Sequence, residues 1–234
     1  MNSQVANPVQ LVVGALATNC WIYAFPGDAS VSGVWEPYRD NLCVLIDPGC
    51  DAPVIIARLE RLKRYPRSIL LTHGHFDHVA ALAGVVSYYR ETYGLDPEIA
   101  IHKDDADALG PDALRVHRIS FTAAVGNAVY VDELWEPLPP PTRLLAEGDT
   151  AGPFTVLHLP GHSKGSAGFY DESRKTLFSG DTLFNGGIGR TDLPGGDFKT
   201  IAASLKRLLA MDETIAVYPG HGSVTSIKEE QSSF

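Results

Sequence analysis

Cysteine is scarce. Cys20, Cys43 and Cys50 are the three in 234 residues, an odd number with no Cys-x-x-Cys pair. That excludes a disulfide framework and a thiolate zinc site, and points to buried free thiols in a reducing compartment. Basic charge is also short. Lys and Arg number 19 against 28 Asp and Glu, a formal net charge of −9, with no basic stripe. Nucleic acid is excluded as a partner, because such a surface repels phosphate. No stretch approaches the roughly 20 apolar residues of a membrane helix, so no membrane partner is expected. The opening Met1-Asn2-Ser3-Gln4-Val5 lacks the basic start and apolar run of a signal peptide, and a cytoplasmic location is expected. There is no Gly/Ser linker and no low-complexity tract. Residues 1–234 therefore read as a single domain, long enough to bury a core without covalent staples.

What is present is a regular alternation of apolar runs and turn residues. Strands are expected at Cys20–Phe25, closed by Pro26-Gly27, at Leu42–Ile46, closed by Asp47-Pro48-Gly49, and at Ser68–Leu71, closed by Thr72-His73-Gly74. Further strands are expected at Glu98–Ile101, Phe154–Leu159, Gly168–Tyr170, Thr176–Phe178 and Thr214–Tyr218. Three apolar faces follow the helical period: Val54, Ile55, Leu59 and Leu62; then Val79, Leu82, Val85, Val86 and Tyr89, stopped by Gly94; then Phe198, Ile201, Leu205, Leu208 and Leu209. Strands mixed with helices imply a layered α/β or α+β fold. An inserted loop is expected at about 110–145, carrying Pro139-Pro140-Pro141 and the aromatics Phe121, Tyr130 and Trp135. It reads either as a solvated connection or as a lid or pocket wall. The loop Gly27–Asn41, with Trp35 and Tyr38, raises the same question.

The eight histidines are not scattered. Thr72-His73-Gly74-His75-Phe76-Asp77-His78 places three imidazoles and a carboxylate between an apolar strand and an apolar helix. Packed there without an ion, they would be costly in desolvation and repulsion. Imidazole and carboxylate suit zinc, iron, manganese and nickel. Three later segments repeat one pattern, an apolar strand, a glycine and a ligand-type residue. They are Leu159-Pro160-Gly161-His162, Phe178-Ser179-Gly180-Asp181 and Tyr218-Pro219-Gly220-His221. On this count His73, His75 and His162 hold one ion, Asp77, His78 and His221 hold a second, and Asp181 bridges them. The cofactors expected are two divalent ions, zinc first, with iron or manganese as alternatives. Two such ions about 3.5–4 Å apart acidify a shared water and stabilise an oxyanion, which makes the reaction class metal-assisted hydrolysis. His102, His117 and His158 fall outside these motifs and read as structural or surface residues.

These residues resemble the metallo-β-lactamase superfamily. His73-x-His75-x-Asp77-His78 looks like its signature, and His162, Asp181 and His221 match its later ligands in order. The resemblance implies an αβ/βα sandwich, two mixed sheets flanked by helices, with the site at one sheet edge. The commonest β-lactamases of this group carry a cysteine where this chain has Asp181, which disfavours β-lactam hydrolysis. Gly187-Ile188-Gly189-Arg190-Thr191-Asp192 after Gly180-Asp181-Thr182, and the ending Pro219-Gly220-His221-Gly222, resemble the glyoxalase II-like branch. In that branch a basic residue at the place of Arg190 helps to bind the glutathione part of a thioester. The chain ends 13 residues past His221, where glyoxalase II carries a helical domain, so it resembles the short bacterial members.

The function expected is hydrolysis of a small anionic thioester such as S-lactoylglutathione. Asp77 and Asp181 are the catalytic carboxylates and Arg190 binds substrate. The rival is a mononuclear iron persulfide dioxygenase, whose family shows a similar Gly-Arg-Thr-Asp segment. The sequence leaves an oligomer open.

Overall fold

In the computed structural model the described residues are 7–25 and 30–233. The Pro26-Gly27 turn, the start of the Gly27–Asn41 loop and Met1–Val5 lie outside them. The chain first lays down a six-stranded sheet in sequence order. Its strands are β1 (Val9–Val13), β2 (Thr18–Ala24), β3 (Leu42–Ile46), β4 (Tyr65–Leu71), β5 (Glu98–His102) and β6 (Arg143–Leu145). The first two pairings are antiparallel and the other three parallel. Parallel pairs need crossovers, and these are supplied by α1 (Ala52–Leu62), α2 (Phe76–Val79), α3 (Leu82–Tyr93), α4 (Ala113–Val125) and α5 (Val129–Leu134).

The second half forms β7 (Thr150–Ala151), β8 (Phe154–His158), β9 (Ala167–Asp171) and β10 (Thr176–Gly180). A short ribbon follows, β11 (Leu183–Phe184) and β12 (Gly187–Ile188), then α6 (Phe198–Leu209), β13 (Ala216–Pro219), β14 (Thr225–Ser226) and α7 (Ile227–Gln231). The second sheet runs β14-β13-β10-β9-β8-β7, with β10 and β13 parallel and its other pairings antiparallel. Both sheets are mixed.

Alternation along the strands assembles the layers, because successive side chains point to opposite faces. In β2, Cys20 and Ile22 join the core under α1 and α3, while Trp21 and Tyr23 face the other sheet. In β10, Leu177 packs beneath α6 and Phe178 faces inward. The result has four layers: α1 and α3, the first sheet, the second sheet, and α6 with α7. Phe178 sits at the junction, its ring centroid 5.3–6.0 Å from those of Trp21, Tyr23, Phe154 and Tyr218.

Several expectations change. The segment 110–145 is not a structureless loop: it holds α4, α5 and β6. Its helical pattern is weak because α4 buries only Ala113 and His117, leaving Ile119 and Val125 on the surface. The predicted Val79–Tyr89 helix is two helices, broken between Val79 and Leu82, where the Ala81 N–H donates to Pro48 O at 3.0 Å. It does end at Gly94, at φ +65°, a left-handed conformation suited to glycine. Val54 and Phe198, read as core, are exposed. The strands β1, β6, β7, β11, β12 and β14 were not foreseen; of these β7, β11, β12 and β14 are two residues long and carry no readable period. The segment around Trp35 and Tyr38, expected as a loop, is a 3-10 helix over Gly33–Asn41 that packs against the first core, where Tyr38 meets the Tyr65 ring at 4.3 Å. All three cysteines are free and buried, and no helix among the described residues is long and apolar enough to cross a membrane.

Phe178→Ala should cost about 3–5 kcal/mol, the usual range for deleting a buried aromatic. Urea unfolding checks it, and a loss below about 1 kcal/mol would deny that Phe178 anchors the sheet-to-sheet core.

Candidate metal centre

Seven side chains from five parts of the chain meet at one edge of the two sheets. His73 and His75 follow β4, and α2 carries Asp77 and His78. His162 follows β8, Asp181 follows β10, and His221 follows β13. The strand ends are tied together so that these loops converge. Asn19 of β2 donates its N–H to Gly220 O at 2.7 Å and its side-chain amide to Pro219 O and Gly222 O, both at 2.9 Å. Two glycines allow close approach: a β-carbon at Gly220 would fall on the Asp181 carboxylate and against His78, and one at Gly49 would fall on the Asp77 carbonyl.

Two donor groups have ligand atoms within 4.8 Å of one another, His73, His75 and His162, and Asp77, His78 and His221; a third, Asp47, His73 and His78, overlaps both. His75 Nδ1 stands 2.8 Å from His162 Nε2. His221 Nε2 lies 3.3 Å from both Asp77 Oδ2 and His78 Nε2. Asp181 stands between the groups, with Oδ2 3.6 Å from His162 Nε2 and 3.5 Å from His221 Nε2, and Oδ1 3.5 Å from His78 Nε2.

Divalent metal fits this set on an observation of its own. Asp181 Oδ1 and His73 Nε2 are buried without a hydrogen-bond partner, although buried polar atoms ordinarily find one. Both point into the cluster of donors, as ligand atoms awaiting a cation do.

Partners behind the imidazoles fix which nitrogen faces inward. His78 donates from Nδ1 to Asp47 Oδ2 at 3.0 Å, and His162 donates from Nδ1 to Arg190 O at 2.7 Å. Thr72 Oγ1 donates to Asp47 at 2.6 Å and accepts from His73 Nδ1 at 3.1 Å. Thr18 donates to Asp77 Oδ2 at 2.8 Å. Such outer partners hold ring orientation and raise ligand basicity in metal sites. Asp105 has the matching task on the loops: it accepts from Gly74 N at 2.9 Å, Ser163 Oγ at 2.6 Å and Gly165 N at 2.6 Å.

The electrostatics divide along the same line. Burial, reinforced by neighbouring imidazoles, holds His75 down to about 3 and His73 well below its ordinary value. Burial also opposes charge on His78, but Asp77, Asp181 and Asp47 outweigh it and carry that ring up to about 10. Asp77 is held far below the usual carboxylate range: burial works against it and is overcome by His78 and His221. The carboxylate-rich half attracts positive charge, while burial keeps His73 and His75 neutral.

The sequence reading passed over Asp47, Asp105 and Thr18. Asp47 closes β3 in a turn at φ +50°, a conformation Asp tolerates better than most residues, and its role shows only in its contacts with Thr72 and His78. The other histidines take structural places. His117 is buried, bonded to Ala108 O at 2.9 Å and lowered by burial to about 4. His102 stacks on His158 at 4.0 Å, and with Asp104 they form another donor group. There His102 Nδ1 accepts from Asp104 N and His158 Nε2 donates to Lys164 O, so those nitrogens are committed. Arg190 reaches the rim of the site, but its guanidinium is forked on Asp192, with Nε–Oδ1 2.8 Å and Nη2–Oδ2 2.7 Å.

The sequence profile of the metallo-β-lactamase superfamily matches residues 24–221. The chain belongs to this superfamily. Among curated relatives it is 34% identical to hydroxyacylglutathione hydrolase GloC of Haemophilus influenzae over 215 residues, 91% of this chain and 93% of the relative. It is 35% identical to the probable metallo-hydrolase YqgX of Bacillus subtilis over 202 residues, 82% and 85% of the two chains. Among solved structures, the di-iron-bound form of TTHA1623 superposes with a TM-score of 0.73 at 37% identity, covering 97% of this chain and 98% of that one. The B3 metallo-β-lactamase BLEG-1 superposes at 0.75 with 33% identity and 97% coverage of both. ETHE1 from Myxococcus xanthus shares the fold at 0.63 and 23% identity, covering 97% of this chain and 82% of that one.

Asp47→Ala should weaken metal binding about 10–100-fold, the usual effect of removing an outer partner of a ligating histidine. Competition against a chelator measures it, and unchanged affinity would deny Asp47 that role. In metal-stripped protein His75 and His78 act on stability in opposite directions. His75, lowered from 6.5, contributes stability above pH 6.5 that is lost as pH falls toward about 3. His78, raised from 6.5, contributes stability below pH 6.5 that is lost as pH rises toward about 10. The Tm of stripped protein should therefore peak at about pH 6.5. A Tm that keeps rising toward pH 10 would contradict the assignment.

Proposed function

We propose that this chain hydrolyses an acyl thioester with two divalent ions, and that the observation carrying the reading is the pair of three-donor groups facing one shared carboxylate, Asp181. His73, His75 and His162 would hold one ion, and Asp77, His78 and His221 the other, with Asp181 between them. Bound divalent metal supplies Lewis acidity for a carbonyl oxygen and acidifies a water to near neutrality.

The chain's own groups do the rest. Asp77 and Asp181 are the carboxylates positioned to accept a proton from water. Thr18 already occupies Asp77 Oδ2, whereas Asp181 Oδ1 has no hydrogen-bond partner. Asp47 and Thr72 keep His78 and His73 presenting Nε2, and the Arg190 carbonyl does the same for His162. The Arg190 side chain, if it anchors a substrate carboxylate, does so by exchanging Asp192 for it. The pair is exposed, so a substrate carboxylate can reach the guanidinium from solvent.

The relative named hydroxyacylglutathione hydrolase supports a thioester and places S-lactoylglutathione first in an assay panel. The three buried free thiols fit a cytoplasmic setting. Mononuclear iron oxygenation of a persulfide would use only part of this donor set, and metal content with oxygen uptake separates the two readings.

The test is metal analysis of purified protein with a panel of thioesters, lactones, phosphoesters and a β-lactam. Two ions per chain with thioester turnover and no oxygen uptake are expected. One iron per chain with oxygen consumed on glutathione persulfide would replace this reading with the dioxygenase. Asp181→Ala should lower metal content and abolish turnover; full activity would break the site assignment. Arg190→Ala should mainly raise KM for an anionic substrate, and a pure kcat loss would instead make the role of its side chain catalytic.

A further inference from the structure

The metal centre opens into a chamber of about 520 Å³, within the range of small-molecule pockets, about 300–1,000 Å³. Its floor is the ligand set. The rest of its lining is mostly apolar: Phe121 and Val125 of α4, Phe184 and Ile188 of the β11–β12 ribbon, Leu193 after it, and Leu16, with Ser120 and His117 as polar exceptions. Phe121 is backed by Tyr130, stacked at 5.1 Å with an interplanar angle of 15°. At the mouth, Leu16 is 46% and Val125 56% exposed, so apolar surface faces the opening. Arg190 is the cation on this lining, and Asp192 occupies both arms of its guanidinium. A glutathionyl group, with two carboxylates and an ammonium, would meet apolar walls there and leave charge poorly solvated. An apolar group would gain contact along most of this lining.

Building on the thioester reading above, we propose that the substrate carries a neutral apolar group, aliphatic or aromatic, that fills this chamber, and that Phe121 and Val125 of α4 set its size. The group belongs to the acyl side or to the thiol side of the thioester, and the two sources are distinguished by varying each in turn.

The experiment uses metal-loaded protein. One thioester series lengthens the acyl chain from acetyl to hexanoyl on a single small thiol; the other enlarges an apolar thiol on acetyl. Separately, calorimetry measures binding of straight-chain carboxylates from acetate to octanoate. One thioester series should climb in kcat/KM by about fourfold per buried methylene, and carboxylate affinity should climb with it. Phe121→Ser should flatten the climb. Val125→Lys, at a half-exposed position that does not endanger folding, should flatten it too. Flat profiles in both series, or S-lactoylglutathione preferred about tenfold over every apolar thioester, would overturn the proposal. If no thioester is turned over, the proposed reaction falls and the carboxylate titrations alone decide. Affinity that rises with chain length in the native protein and not in Val125→Lys upholds the apolar chamber; affinity independent of chain length overturns it.

Discussion

Five imidazoles and two carboxylates crowded at a sheet edge repel and desolvate one another unless positive charge is placed among them. That conflict governs the rest of the molecule. Burial keeps His73 and His75 neutral, while Asp77, Asp181 and Asp47 hold a proton on His78. Two divalent ions would relieve both halves, replacing the proton on His78 and satisfying the bare Asp181 Oδ1 and His73 Nε2. The donor geometry is thus built by the protein and stabilised by its metal.

The fold supplies the rigidity this requires. Every ligand follows a strand or sits on the short helix after one, and the strands are locked by an inner core in which Phe178 meets four other aromatic rings. Hydrogen bonds from Asn19 carry that rigidity across the two sheets to the His221 loop. Asp47 and Asp105, neither facing the chamber, fix the loops on which the ligands ride. Specificity is added by α4 and the β11–β12 ribbon, which supply most of the apolar lining of the chamber.

Much of this was legible in the sequence for a physical reason. Buried strands that alternate between two cores read as short apolar runs, and Leu42–Ile46 was foreseen to the residue. The seven donors were legible because ligand chemistry at strand ends has few other uses. Illegible parts depend on partners distant in sequence. Asp47 looks like any turn aspartate until Thr72 and His78 fold against it, and Asp105 looks like one of several surface acids until Ser163 and Gly165 arrive. Helix α4 is hard to read because it buries only Ala113 and His117 and exposes Ile119 and Val125 beside Arg115 and Arg118, which blurs the helical period. The same apolar surface makes it a chamber wall. Arg190 shows the opposite failure: a motif identifies the residue but not the Asp192 that occupies its side chain.

The central claim is that this edge holds two ions in two separate three-donor groups. Anomalous diffraction from crystals of the metal-loaded protein, recorded at the absorption edge of the bound metal, tests it most directly. The account predicts two peaks about 3.5–4 Å apart, one against His73, His75 and His162 and one against Asp77, His78 and His221, with Asp181 reaching both. A single fully occupied peak at saturating metal, with either triad left empty, would contradict it.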